Sequence, residues 1–251
     1  TLGMKRNLNL RTHEEELVPE LSLEQLLTAA DIIAHVKSRY NILGYHVSHI
    51  DSTEINVRVW KTLAELINKH YEDVDGVVVL HGTDTMQYTS AATAFSIRNP
   101  HIPIVHTGAQ MILEADGSDV LMNLTGALAV AKSNLAESVV LFTGEIYKGT
   151  IIEKIDDSMI KTAFGSPVYG AIGHLGAHGV VLDHRAIKRG AYISNDLKYD
   201  PEFGISVLEI VLAPGLSPRV VNAAIEESEC KALVIRYYGP GNMPRWFLPL
   251  I

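Results

Sequence analysis

Apolar residues in this chain come in short unbroken runs that end on polar knots. The sharpest case is Val77-Val78-Val79-Leu80 running into His81-Gly82-Thr83-Asp84-Thr85. Such a β-branched run fits a strand buried on both faces, as in a parallel sheet. The stretch from Met86 to Phe95 then reads as a helix. The same alternation extends to both sides. Ser22-Leu-Glu-Gln25 has the form of a capping box and opens a helix with Leu23, Leu26, Leu27, Ala30 and Ile33 as its apolar stripe. Tyr45 to Ile50 reads as a strand ending at Asp51-Ser52-Thr53. A helix follows from Asn56, with Trp60, Leu63, Ala64 and Ile67 on one face. Pro103 to Thr107 is a further strand and runs into Gly108-Ala109-Gln110. Ser118-Asp119 caps a helix that reaches Ala131, and Ser138 to Phe142 is the next strand. This rhythm predicts an α/β fold: a mostly parallel sheet with helices on both faces, Rossmann-like.

The pattern breaks after Phe142. Gly144 to Gly149 has the composition of a hairpin tip, and residues 170–203 read as a glycine-rich linker with one short strand near Val180. Ser206 to Leu212 starts a second α/β unit. Ser217-Pro218 opens its helix and Ala232 to Tyr237 forms its next strand, followed by the turn Gly239-Pro-Gly-Asn242. The expected organisation is a catalytic domain over 1–169, a linker over 170–203, and the beginning of a smaller α/β domain over 204–251. Both ends read as cut. No complete strand precedes Thr1, and Trp246 to Ile251 is an apolar stub with nothing after it to cover it.

Composition narrows the function. The chain has 251 residues and a net charge of −8, with its basic residues scattered, which argues against a nucleic-acid or membrane-surface ligand. Its one cysteine, Cys230, excludes an internal disulfide framework and fits a reducing compartment. No apolar stretch approaches bilayer length. His174-Leu-Gly-Ala-His178 with His184 has no nearby Glu or Cys, and glycines interrupt any helix that would align the pair, so no metal site is expected.

Polar groups sit in the loops after successive strands: Asp51-Ser52-Thr53, Thr83-Asp84-Thr85, Gly108-Ala109-Gln110 and, if a strand once preceded it, Thr1. Any one of them alone is compatible with a turn or a helix cap. Together, at the carboxyl edge of one sheet, they form a pocket able to bind a small zwitterion. Lys154, in Thr150-Ile-Ile-Glu-Lys-Ile155, is either an exposed lysine guarding an edge strand or a cation drawn in beside Asp84. In the second case it completes a Thr–Lys–Asp relay. A threonine hydroxyl needs an adjacent base, and a desolvated lysine with a lowered pKa could serve.

With these residues laid out, the chain resembles the bacterial-type (non-Ntn) L-asparaginase family, in its cytoplasmic type I form, over nearly its whole length. The most specific match is His81-Gly82-Thr83-Asp84-Thr85. Asp51-Ser52-Thr53 with Trp60, Thr107-Gly108-Ala109-Gln110, Ser118-Asp119 with Asn123, and Lys154 support it, as does Tyr238-Gly239-Pro240-Gly241-Asn242. Thr1-Leu2-Gly3-Met4 resembles the end of the family's first signature. The resemblance implies Thr1 as nucleophile and Thr83 as a second catalytic threonine acting with Lys154 and Asp84. Ser52 would bind the substrate α-carboxylate, with Thr53 beside it where members differ. Asp84 would bind the α-ammonium, the backbone around Ala109 would receive the side-chain amide, and Asn242 would face a neighbouring pocket. The chain departs from the family in having no tyrosine between Thr1 and Arg39 and in lacking the glycine turn before Thr1.

The expected activity is hydrolysis of L-asparagine, or L-glutamine, to the acid and ammonia. It would proceed without metal or organic cofactor, in the cytoplasm, within a homodimer or homotetramer. The 251-residue chain alone is expected to be inactive. Two alternatives keep the fold: the asparaginase-like subunit of an archaeal glutamyl-tRNA amidotransferase, and a non-catalytic amino-acid sensor. A third, an N-terminal nucleophile hydrolase using Thr1, conflicts with the βαβ rhythm.

Overall fold

The computed structural model describes residues 4–8 and 15–19 as strands, residue 36, and residues 38–191, 196–204 and 206–250. Thr1 and the helix expected from Ser22 lie outside the described residues. Met4–Leu8 (β1) and Glu15–Pro19 (β2) pair antiparallel, Met4 opposite Pro19.

The larger of two compact units, Thr1–Pro201, is built on a six-stranded sheet. Its parallel part is Val77–Leu80 (β3), Ile104–Thr107 (β5) and Ser138–Phe142 (β6), with β5 in the middle. β4 (Ile97–Arg98) lies between β3 and β5 in sequence and pairs outside the main sheet. Every residue of β5 and β6 is buried, so apolar side chains do not alternate with exposed polar ones, and the polar His106, Thr107 and Ser138 are buried with the rest. Val139 and Leu141 face one side of the sheet and Val140 and Phe142 the other, as the two-residue period of a strand requires.

Three helices cover this part of the sheet. Val57–His70 (α1) starts at Asn56, whose side chain accepts from the Arg58 amide, and it buries Leu63, Ala64 and Ile67 as expected. Met86–Ser96 (α2) leaves β3 directly and packs on β5 and β6. Val120–Ala131 (α3) packs Ala127 and Val130 with Val105, Val139 and Leu141. Among the described residues no helix is long and apolar enough to cross a membrane.

Several segments differ from the sequence reading. Tyr45 to Ile50 is not a strand. Only Val47 of this segment joins the core, Tyr45 stacks on His70, and among the described residues no strand pairs with the outer edge of β3. After β6, Thr143 and Gly144 take positive φ values of 45° and 87° and make a tight turn into Glu145–Lys148 (β7), antiparallel to β6. Glu153–Lys154 (β8) pairs with Phe164–Gly165 (β9). Within residues 170–203, the region expected to be a linker, Gly173–Gly176 (β10) and Gly179–Leu182 (β11) form a hairpin that extends the main sheet beyond β7. Lys198–Tyr199 (β12) pairs with β4. Three parallel strands thus continue into an antiparallel meander.

The smaller unit, Glu202–Ile251, is a βαβ element of Val207–Val211 (β13), Pro218–Glu227 (α4) and Ala232–Arg236 (β14), its strands parallel. The terminal apolar segment is only partly covered, and Leu248 stays exposed. Arg245–Leu250 forms a 3-10 turn whose Phe247 is fully buried with Ile210, Leu212 and Val221.

Candidate active site

The loops leaving β3 and β5 meet the short turn Ser52–Glu54 at one edge of the sheet. Their approach is too close for side chains at two positions. A Cβ on Gly82 would stand 2.6 Å from Ser52 Oγ, and one on Gly108 would stand 2.4 Å from the His81 carbonyl oxygen. The Thr85 hydroxyl donates to the Ser52 carbonyl at 2.6 Å and locks the first two segments together. Asp51 holds the turn by accepting from the amide and the hydroxyl of Thr53, at 2.8 and 2.7 Å. Those two hydrogen bonds keep its carboxyl below the usual range.

Under the loop lies a partly buried imidazole. His81 Nδ1 is 2.6 Å from the Gly82 carbonyl, and Nε2 is 2.8 Å from the Thr89 hydroxyl, to which the Trp60 indole N–H donates at 2.9 Å. Burial lowers the pKa of His81. A carbonyl requires a donor, so the neutral ring carries its proton on Nδ1.

Lys154 projects into the same place. Its backbone amide donates to Gln87 Oε1 of α2 at 2.5 Å, which fixes β8 against that helix. Its side chain is 12% exposed, and its ammonium lies 3.1 Å from Thr83 Oγ1, 2.5 Å from Asp84 Oδ1 and 3.1 Å from Asp157 Oδ1. Burial opposes the charge, but the hydrogen bonds and charges of Asp84 and Asp157 outweigh it and raise the pKa. This reverses the expectation that desolvation would lower it. Two carboxylates face the amine, and the ammonium is the resting form.

The Gly108-Ala109-Gln110 loop is braced from beneath. Asp119, 3% exposed, accepts from the amides of Gln110 and Met111 at 3.0 Å and from Asn123 Nδ2 at 2.9 Å. Asn123 also donates to the Gly108 carbonyl at 2.9 Å and accepts from the Thr143 amide at 2.8 Å. Asp119 therefore spends its carboxylate on the loop and makes no side-chain cap, while Ser118 Oγ accepts from the Val120 amide at 3.3 Å. Ala109 is fully buried, with its methyl group packed among Val36, Val120 and Leu124.

Of the residues picked from sequence, Thr83, Asp84 and Lys154 touch one another. Ser52 lies against Gly82, and Thr53 is exposed and turned to Asp51. Asn242 is exposed on a turn of the smaller unit. Asp157 and Gln87 were not anticipated. An acidic residue three positions after Lys154 was the available signal for the first, while nothing local pointed to the second. Among the described residues no group of three or more His, Cys, Asp or Glu is placed to hold a metal.

Fold and site together define an α/β protein that carries a threonine–lysine–aspartate cluster at the carboxyl edge of its parallel strands. A family model described as "Asparaginase, N-terminal" matches residues 1–188, and the chain belongs to that family. It is 35% identical over 230 residues to an L-asparaginase of Thermococcus kodakarensis, covering 90% of this chain and 68% of the relative. It is 33% identical over 230 residues to one subunit of the glutamyl-tRNA(Gln) amidotransferase of Methanobrevibacter smithii, covering 86% of this chain and 51% of the relative. The solved structure of the thermostable Thermococcus kodakarensis L-asparaginase superposes with a TM-score of 0.82 at 30% identity, covering 97% of this chain and 70% of that one. The chain thus spans between about half and about two thirds of these relatives.

Proposed function

We propose that the full-length protein hydrolyses L-asparagine to L-aspartate and ammonia at this cleft. The observation that carries the reading is the Lys154 ammonium placed between Thr83 Oγ1 and the Asp84 carboxylate, at 3.1 and 2.5 Å. Thr1 attacks the side-chain carbonyl, and backbone N–H groups of the glycine-rich loops stabilise the oxyanion of the tetrahedral intermediate. The net proton movement is from the attacking hydroxyl to the departing amide nitrogen. The nitrogen leaves as ammonium, taking that proton and a second one from the Thr83 hydroxyl, which is refilled from the Lys154 ammonium. A water then cleaves the acyl ester and returns a proton to the lysine by the same route. A lysine with a raised pKa suits this order, acting as acid first and base second. Asp84 receives the substrate ammonium, Ser52 its carboxylate, and the Ala109 backbone its amide. The protein works in the cytoplasm as a homodimer or homotetramer in which Asn242 faces a neighbour's pocket, in keeping with the family resemblance.

Ammonia release from asparagine and glutamine, measured side by side, tests the reading. Thr83→Ala should lower kcat by about 100-fold or more while leaving the fold intact, the scale of a lost proton-transfer group. Near-normal turnover in that variant would reject the relay. The identity to an amidotransferase subunit favours a second reading, in which ammonia from glutamine is passed to a tRNA-bound partner. Co-purification with such a partner, and preference for glutamine, would select it.

A further inference from the structure

Lys154 has three ammonium hydrogens and three acceptors around it: Thr83 Oγ1, Asp84 Oδ1 and Asp157 Oδ1. Every donor is used, and one acceptor, Asp84, has a second duty under the function proposed above. A substrate ammonium drawn to Asp84 would place another cation beside Lys154 and take away part of its counter-charge. A largely buried ammonium left undercompensated is costly.

We propose that Asp157 is a positioning residue for Lys154, a second counter-charge that keeps the ammonium on Thr83 while Asp84 engages the amino group of the substrate. Asp157 is held for this purpose. Its backbone carbonyl and that of Asp156 accept from Gln110 Nε2, at 3.3 and 3.4 Å, which ties the segment to the loop proposed to receive the amide. Asp156 stiffens the same segment. Its carboxylate accepts from the amides of Ser158 and Met159 and from the hydroxyls of Ser158 and Thr162, so it is turned away from the lysine. Among the described residues, the charged groups facing the ammonium are Asp84 from the loop after β3 and Asp157 from the segment after β8. Thr83 is neutral, and the loop after β5 offers only the neutral Gln110. The Asp157 side chain is 88% exposed, so it can follow the lysine without giving up a buried contact.

The inference rests on the asparaginase reading, and its test has a readout independent of activity. In the full-length protein, the titration of Lys154 is followed by NMR of 13C-methylated lysines, assigned with Lys154→Arg, in the wild type, Asp157→Asn and Asp157→Glu. The same proteins are assayed for asparagine hydrolysis across pH. Asp157→Asn should move the lysine titration to lower pH. It should also raise KM for asparagine about two- to fivefold, the span an exposed carboxylate supports, with a smaller change in kcat. Asp157→Glu should restore both. A titration that does not move in Asp157→Asn, or moves with KM unchanged, overturns the proposal. If the wild type releases no ammonia from asparagine, the asparaginase reading fails, and the titration still judges the Asp157–Lys154 contact.

Discussion

Asp119 offers the most direct test of how the cleft is held. Replacing it with alanine strands three donors in a site that is 3% exposed: the amides of Gln110 and Met111 and the Asn123 side-chain nitrogen. A buried donor without a partner costs about 1–3 kcal/mol, and hydrogen bonds to a charged acceptor lie at the upper end. Water entering the vacated volume would re-satisfy part of the set. Asn123 keeps its bonds to the Gly108 carbonyl and the Thr143 amide. A net loss of about 3–5 kcal/mol follows, similar to breaking other buried charged contacts. That is a large part of the roughly 5–15 kcal/mol available to a domain, so the variant should fold but melt early. Urea unfolding reads the stability, and KM for asparagine reads the loop, which should loosen around Ala109 and bind the amide more weakly. Asp119→Asn, which keeps shape and one acceptor oxygen, should fall between the two. An unchanged urea midpoint together with an unchanged KM in Asp119→Ala would refute the claim that this carboxylate organises the loop.

Two further outcomes follow from His106, which is buried, and His81, which is partly buried. Burial holds the His106 imidazole down at about 3, with repulsion from His81 adding to it and the Val139 carbonyl opposing, against an ordinary 6.5. Across that window the unfolded chain binds a proton that the folded protein does not. Stability is therefore intact above pH 6.5 and falls as pH drops toward 3, by up to about 1.4 kcal/mol per unit for this group. His106→Gln should flatten the slope of urea stability against pH between pH 6 and pH 4, and an equal slope would reject the assignment. Thr89→Val should remove the hydroxyl that meets both His81 Nε2 and the Trp60 indole, costing about 1–3 kcal/mol and lowering kcat through the displaced Thr83 loop. Wild-type stability and kcat would show the chain of hydrogen bonds to be dispensable.

What the sequence disclosed, and what it hid, divides by range. The strands at Val77, Ile104 and Ser138 were legible from their β-branched and apolar runs, although only the latter two are buried throughout, while Val79 alone is buried in the first. The helix at Val57 was legible from its stripe and its Asn56 cap. Of the meander, only the short strand near Val180 was legible. His174-Leu-Gly reads as loop, and only pairing with β7 makes it a strand. Tyr45 to Ile50 shows the converse: a strand-like composition that pairs with no described neighbour and stays irregular. At the site, the Thr83 loop announced itself, yet the hold on Lys154 depends on Gln87, 67 residues away, through one side-chain oxygen and one amide. Nothing periodic encodes such a contact. The sign of the Lys154 shift was likewise hidden, because it depends on a second carboxylate, Asp157, whose approach is settled only by the fold of the segment that follows the lysine.

The hydrogen directions beneath the cleft follow from acceptors that have no choice. The Gly82 carbonyl can only accept, so His81 must carry its proton on Nδ1. Nε2 is then an acceptor, and the Thr89 hydroxyl must donate to it. Because a hydroxyl has one hydrogen, Thr89 can only receive from the Trp60 indole, which is itself a donor and nothing else. The run from α1 through α2 to the loop before Thr83 thus has a single self-consistent orientation. His106 follows similar logic, since the Val139 carbonyl asks for Nδ1–H and leaves Nε2 as an acceptor toward the Thr93 hydroxyl, whose hydrogen the Thr89 carbonyl shares. Protonating His81 would turn its acceptor into a donor and take away the acceptor of the Thr89 hydroxyl hydrogen, and protonating His106 would place a charge where nothing solvates it. The depressed basicity of both rings and the fixed position of the Gly82–Thr83 peptide are therefore two consequences of one arrangement, and neither ring is free to serve as the base of the reaction. Lys154 is the one titratable group in contact with the Thr83 hydroxyl among the described residues, which supports its place in the proposed relay.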